Sequence, residues 1–261
     1  LLEADSTAVF AGSVWYAGQS PLDPRASTTL IRLDSGSLEI TGRISMSAPP
    51  AAVAATPSGV WVGAGRTITL FDAGAHPVRE LDIGGRVTHL AIDPTGTRLY
   101  VATATRRVHT SHIVFQERDA ASGSLLVGGA HMPDLGFGGP SAVVPITDGV
   151  WVTNVTGMMA SSQLFRAGDL TPVGTVEHEG VGYYTGVNSM SDTLAANVLW
   201  IFDLAAALTC ADPATGRVIE RIGPYPSTVA INDVVEVNGS LYVANWRSVQ
   251  RLDPSSRCLA G

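Results

Sequence analysis

The sequence predicts an all-β chain, a six-bladed β-propeller with four-stranded antiparallel blades. Three observations carry that reading. A short apolar phrase centred on an aromatic recurs six times, at Val14-Trp15-Tyr16, Val60-Trp61-Val62, Leu99-Tyr100-Val101, Val150-Trp151-Val152, Leu199-Trp200-Ile201 and Leu241-Tyr242-Val243. The aromatics are 46, 39, 51, 49 and 42 residues apart, which is the spacing of propeller blades and too long for a leucine-rich repeat. The 28 glycines and 15 prolines are spread along all 261 residues, as many short strands joined by turns require, and no helical period longer than about ten residues interrupts the pattern.

Within each repeat the elements follow one order. First comes a strand of small residues, such as "AAVAA" (51–55) or "THLAI" (88–92), suited to the crowded axis of a ring. A turn follows, as in "TPSG" (56–59), "DPTGT" (93–97), "ITDG" (146–149) and "EVNGS" (236–240). The second strand carries the aromatic, which fills the widening wedge between neighbouring sheets and is therefore a core residue. A third strand ends at an acid or a turn, as in "TITLFDAG" (67–74), "LTCADPATG" (208–216) and "VQRLDPSSR" (249–257). A short alternating segment such as "VRELDI" (78–83) or "VIERIG" (218–223) completes four strands per unit. The units fall at about 1–46, 47–84, 85–130, 131–177, 178–223 and 224–261, a single domain used from end to end. Trimming at the termini leaves a missing strand or a seventh blade as the alternative.

Composition narrows the function. With 45% hydrophobic and 15% charged residues the chain can bury a large core. Its net charge of −7 comes from 23 acids against 16 arginines, with no lysine, so no basic stripe exists to track nucleic acid. No apolar run reaches the roughly 18 residues of a transmembrane segment, the most apolar one, "VLWIFDLAAALTCA", being broken by Asp203. The chain begins at "LLEADS" without methionine, which suggests a processed, exported protein of a GC-rich bacterium, extracellular or cell-surface, with its signal or anchor removed. Two cysteines, Cys210 and Cys258, exclude a zinc knuckle or a Cys-x-x-Cys redox motif. One disulfide and two buried thiols are both open readings. "NVT" at 154 and "NGS" at 238 read as turns rather than glycosylation acceptors.

The stretches "GSLYVANWRSVQRLDPSSR" and "TGTRLYVATATRRV" resemble the β-propeller repeats of the YVTN, NHL and quinoprotein-like group. The likeness covers nearly the whole chain as a fold signature, and members serve as enzymes, ligand binders and adhesion modules, so it implies a fold and not an activity. The repeated tryptophan-docking motifs of pyrroloquinoline quinone dehydrogenases are absent from the sequence, and that cofactor is not implied. One blade, "INDVVEVNGSLYVAN", is similar to those of gluconolactonase-like, metal-dependent lactonases, in which such an asparagine reaches a divalent ion. That likeness implies a calcium or similar site at Asp5, Asn188 and Asn232, the axial starts of their inner strands, with Ala51, His89 and Ser141 in the corresponding places elsewhere. Ala51 and Ser141 supply no carboxylate to it.

In such a fold the connections from the outer strand to the next inner strand, and from the second strand to the third, gather around the channel mouth, where function usually lies. The first class includes "AHMPDLGFGGPS" (130–141) and "EHEGVGYYTGVN" (177–188), longer than "SAPP" and "IGGR". The second includes "AGQSPLDPRAST", "ATRRVHTSH" and "NVTGMMASS". These connections place Arg106, Arg107, His109, His131, Asp134, Glu177, His178, Tyr183, Tyr184 and Trp246 as candidate ligand-binding residues. The mixture suits a polar small molecule or a protein partner. Glycine-rich "GAGRTITL" and "GFGGP" lack the strand-to-helix setting of a phosphate loop, and no serine nucleophile elbow is present. The leading reading is a non-catalytic exported propeller that binds a ligand or protein through this mouth. The alternative is a metal-dependent hydrolase, lactonase or lyase acting there.

Overall fold

The computed structural model describes residues 6–17, 28–106, 111–131, 140–156, 159–177, 193–195, 198–202, 208–222, 231–237, 240–245, 249–251 and 258. They are all-β, and the strands pair in chain order into successive antiparallel sheets. Sheet 1 holds β1 (Ser6–Phe10), β2 (Ser13–Ala17), β3 (Thr29–Asp34) and β4 (Ile40–Ser45). Sheet 2 holds β5 (Pro50–Thr56), β6 (Gly59–Ala64), β7 (Thr67–Phe71) and β8 (Pro77–Asp82). Sheet 3 holds β9 (Arg86–Ile92), β10 (Arg98–Arg106), β11 (Ser111–Asp119) and β12 (Leu125–His131). Sheet 4 holds β13 (Pro140–Ile146), β14 (Gly149–Thr156), β15 (Met159–Arg166) and β16 (Pro172–Glu177). Sheet 5 holds β17 (Thr193–Ala195), β18 (Val198–Phe202), β19 (Leu208–Ala211) and β20 (Val218–Ile222). Sheet 6 shows three strands among the described residues, β21 (Ile231–Val237), β22 (Ser240–Asn245) and β23 (Val249–Arg251). Sheets 1–3 belong to one compact unit, Leu1–Asp134, and sheets 4–6 to a second, Leu135–Gly261.

Every aromatic of the recurring phrase stands on the second strand of its sheet. Trp15, Trp61, Tyr100, Trp151 and Trp200 are fully buried, whereas Tyr242 is half-buried, a departure from the expected core position. The two-residue alternation of a strand gives each sheet two apolar faces. In sheet 2, Ala52, Ala54, Trp61, Ile68 and Leu70 pack on Val87, Leu90, Leu99 and Val101 of sheet 3. The opposite face of sheet 2, with Val53, Val60, Val62 and Phe71, packs on Trp15, Ala17 and Leu30 of sheet 1. In the second unit Trp151, Leu164 and Val144 meet Leu199, Ile201 and Ala211 of sheet 5. "GVWV" occurs twice because its glycine is squeezed: a Cβ on Gly59 would lie 2.2 Å from the Phe71 carbonyl oxygen, and one on Gly149 2.3 Å from that of Phe165.

The turns between third and fourth strands repeat one hydrogen-bond pattern. The amide of the fifth residue donates to the carbonyl of the first, as Leu38 to Asp34, Gly123 to Asp119, Leu170 to Arg166 and Gly216 to Asp212, at 2.7–2.9 Å. The fifth residue is left-handed each time, with φ of 59°, 70°, 52° and 73°. Where it is glycine, the neighbouring sheet explains why. A Cβ on Gly123 would lie 2.7 Å from Trp61 Cη2, and one on Gly216 2.6 Å from Trp151 Cη2. The same turns receive the indoles, since Trp61 Nε1 donates to the Ala120 carbonyl and Trp151 Nε1 to that of Pro213, both at 2.7 Å. In sheet 2 the corresponding turn is one residue shorter, closing from the Asp72 amide to the His76 carbonyl, and Trp15 Nε1 has no hydrogen-bond acceptor among the described residues.

Cys210 of β19 and Cys258 form a disulfide, separated by 48 residues and nearly inaccessible to solvent. Between the two readings left open by the sequence, the structure selects the bridge. It joins Val198, Trp200, Leu208 and Leu241 in the core between sheets 5 and 6. Asn154 lies within β14, opposite Ser161, and is a strand residue where a turn was expected.

Two outcomes follow. Trp61→Phe loses a buried hydrogen bond and Trp15→Phe does not, so urea melts of the two variants should differ by about 1–3 kcal/mol, with Trp61→Phe the less stable. Closing a loop of this length contributes about 4 kcal/mol by the chain-entropy relation, and reduction or Cys210→Ala/Cys258→Ala should lower the urea midpoint accordingly. An unchanged midpoint would make the bridge energetically idle.

Candidate functional site

In an antiparallel sheet whose strands pair in chain order, alternate connections emerge at opposite ends. The end bearing the connections from first to second and third to fourth strand is here the turn end. It is closed by short, internally bonded turns that also bond to one another: the Ser35 amide donates to Gly12, Ala120 to Thr97 and Ala167 to Asp148, at 2.9–3.0 Å. Its aspartates are structural. Backbone amides hold Asp34, Asp72 and Asp169 below the usual carboxylate range, led by those of Ser37, His76 and Thr171. At Asp119 and Asp212 the hydroxyls of Ser122 and Thr215 lead the same lowering. Burial pushes Asp93 upward, but hydrogen bonds from the Thr95 hydroxyl and the Arg98 and Thr97 amides outweigh it. Nearby, buried Glu117 accepts from Arg98 Nε at 3.1 Å, and burial together with the Glu117 charge pushes the Tyr100 phenol up.

The opposite, loop end carries the other two classes of connection. In the first unit they touch: the Val87 amide donates to Gly65 at 2.7 Å, Ile83 to Arg66 at 2.8 Å and Met46 to Thr28 at 2.7 Å. Connections from a fourth strand to the first strand of the next sheet thus meet second-to-third hairpins at the loop ends of sheets 1 and 2. The longest connections, 18–28, 132–139, 178–192 and 223–230, also join strands at the loop ends of their sheets.

Three candidate residues end strands at the loop ends of their own sheets. Arg106 ends β10 opposite Ser111, His131 ends β12 opposite Val114, and Glu177 ends β16 opposite Ser161. Arg106 and His131 therefore share the loop end of one sheet, two strands apart. Arg107, His109, Asp134, His178, Tyr183, Tyr184 and Trp246 lie outside the described residues, as do Asp5 and Asn188.

The pairing of first and second strands shows a feature that residue counting missed. The register slips by one residue near the start of the first strand in four sheets, leaving Ala51, Thr88, Ser141 and Asn232 as the extra residues of β-bulges. In sheet 3 the bulged residue is Thr88, whose hydroxyl donates to the Ala102 carbonyl at 3.2 Å, and His89 pairs with Ala102 instead. The expected equivalence of His89 with Ala51, Ser141 and Asn232 is thus corrected. The cause is the longer Asp93 turn: Tyr100 pairs with Ala91, nine residues back, whereas Trp61 pairs with Ala54, seven back, which shifts any fixed count from the aromatic. A signal was available in the sequence, since "DPTGT" is a longer turn than "TPSG".

An alanine, a threonine, a serine and one amide side chain are a poor set for calcium, which takes six to eight oxygens with several carboxylates. Among the described residues no three His, Cys, Asp or Glu side chains are grouped to hold a metal ion. No helix of the described residues is long and apolar enough to cross a membrane. Neither a protein-family model nor a curated protein matches the chain.

The turn-end aspartates have folded pKa values below their unfolded value of about 3.9. Their contribution to stability is therefore complete above that value and is lost as pH falls through the folded values. Thermal melts should be flat above about pH 5 and fall below about pH 4. Asp119→Asn should weaken this acid dependence, and an identical acid limb in that variant would refute the assignment.

Proposed function

We propose that the chain is an exported six-bladed β-propeller of the YVTN, NHL and quinoprotein-like kind that binds a small molecule or protein partner at the loop end without catalysing a reaction. Support for a ring comes from the repeated sheet order and from the bulky second-strand residue that packs on the following sheet within each unit. Wedge-shaped sheets joined in this way accumulate rotation about an axis, and closure removes the exposed side of the first and last. The buried disulfide supports an oxidising compartment, where such bonds persist.

The observation that carries the binding reading is the contrast between the ends of the sheets. One is consumed by its own hydrogen bonding, with turn carboxylates satisfied by amides and hydroxyls. The other bears the long connections and ends the strands at Arg106, His131 and Glu177. Polar groups placed on loops above a rigid sheet are the usual material of a binding site. The metal-dependent enzyme stays the second reading, resting on the likeness of the Asn232 blade; the bulge donor set weighs against it.

A thermal-shift screen over polar metabolites, with calcium, magnesium and manganese as separate arms, tests the proposal, because a ligand selective for the folded state raises the melting temperature. We expect a stabilising metabolite whose shift is lost in Arg106→Ala or His131→Ala and kept in Asp169→Asn. A shift that depends on divalent metal and vanishes in Asn232→Ala would instead establish the enzyme reading, and one abolished by turn-end substitutions alone would place the site elsewhere.

A further inference from the structure

We infer that the outer rim of the joint between sheets 2 and 3, at the turn end, is a second binding site, one that takes a carboxylate borne on an apolar group. The inference is independent of the loop-end reading. Arg79 of β8 pairs with Leu70, and Arg118 of β11 pairs with Leu99, both leucines of the core that sheets 2 and 3 share. The two arginines therefore stand on facing walls of one joint. They converge on the turn after β11: Arg79 Nη1 donates to the Ser122 carbonyl and Arg118 Nη1 to that of Gly123, each at 2.7 Å. These acceptors belong to consecutive residues, about 3.8 Å apart at Cα, so one small ligand can reach both guanidinium groups.

Arg118 is 9% exposed, and burial alone lowers its pKa from the ordinary arginine value, with no carboxylate offsetting it. Its Nε donates to Gln116 Oε1 at 2.9 Å, a neutral acceptor like the Gly123 carbonyl. Among the described residues Nη2 has no acceptor, and it is open to solvent rather than sealed in the core. A buried cation without a counter-charge is costly, and a guanidinium fork with a free edge is how arginine clasps an oxyanion. The acids at this end are engaged elsewhere. Its connections at sheets 2 and 3, 56–59, 71–77, 92–98 and 119–125, all fall within the described residues. Asp72, Asp93 and Asp119 spend their carboxylates on their own turns, and no arginine side chain contributes to their lowering. Glu80, beside Arg79 in sequence, belongs to the opposite face of β8, paired with Thr69.

The joint itself does not call for this pair. Sheets 4 and 5 are joined by the same devices, Trp151 on the Pro213 carbonyl and Gly216 against its ring. There the places of Arg79 and Arg118 are held by Gly174, paired with Leu164, and Ala211, paired with Leu199. Apolar surface flanks the arginines: Leu125, paired with Arg118, is 53% exposed, and Val78, next to Arg79, is 59% exposed. A carboxylate on an aliphatic chain suits both features, its oxygens on the guanidinium groups and its chain along these side chains.

Calorimetric titration of the whole chain with sodium octanoate, at ionic strength held constant with sodium chloride, tests the inference, with acetate, octanol and inorganic phosphate as separate arms. We expect octanoate to bind about tenfold more tightly than any of the other three. Arg79→Gln and Arg118→Gln should each weaken octanoate binding about tenfold, and Leu125→Ser about threefold. Arg66→Gln, an equal loss of charge at the other end of sheet 2, should change it less than about twofold. Because Arg79 is exposed, its variant decides the matter should Arg118→Gln misfold. No octanoate binding, a preference for phosphate or octanol, an equal loss in Arg66→Gln, or unchanged binding in Arg79→Gln overturns the site and leaves the pair as a structural clamp on the turn.

Discussion

The indole of Trp61 is held by the sheet that follows it. Its ring fills the space against sheet 3, its Nε1 donates to the Ala120 carbonyl, and the turn that offers this carbonyl has a glycine where any larger residue would strike the ring. Trp151 meets the Pro213 carbonyl and Gly216 in the same way in the second unit. A tryptophan brings the largest apolar area of any side chain but also a donor that must be satisfied when buried. This arrangement meets both demands at one place. It also orients one sheet relative to the next more tightly than apolar packing alone, because a hydrogen bond is directional and an oily contact is not. Around Trp15 only the packing half of the arrangement exists, with Phe71 at 6.0 Å and the Arg32 guanidinium at 6.0 Å from the ring.

Much of this architecture was legible from residues alone. The aromatic marks a second strand in all six sheets because its period reflects a steric need that repeats with every sheet. Small residues marked β5 and β9, and the acid-bearing turns after β3, β11 and β19 followed from the hydrogen-bonding habits of aspartate with serine, threonine and glycine. What escaped was whatever depends on one residue more or less. Counting back from the aromatic assumed turns of equal length, and the Asp93 turn broke that assumption, moving the bulge from His89 to Thr88. The turn expected at Asn154 is strand instead, because the pairing of β14 with β15 continues beyond it.

The site was less legible than the fold for a physical reason. Strand positions are dictated by alternation and burial, which any sequence must display to fold, whereas a binding loop obeys the shape of a ligand that the sequence does not contain. Arg106, His131 and Glu177 could be located because they terminate strands whose register is set by buried neighbours. The disulfide is a similar case. Two cysteines 48 residues apart carry no local signature of pairing, and only the packing of Trp200, Leu208 and Leu241 about them brings the sulfurs together.

The indole contacts also change what counts as a module. Because Trp61 and Trp151 are each completed by the turn between the third and fourth strands of the next sheet, the smallest self-sufficient piece there straddles two sheets and is out of phase with either. A gene duplication or deletion that cut between sheets would separate each ring from its receiving turn. One that cut within a sheet, between its second and third strands, would separate the indole-bearing half from the strands it pairs with instead. Neither break is silent, so copies of such a unit can be gained or lost only when donor and acceptor halves are matched across the new junction, which ties the number of repeats to the compatibility of neighbours rather than to the quality of any single one.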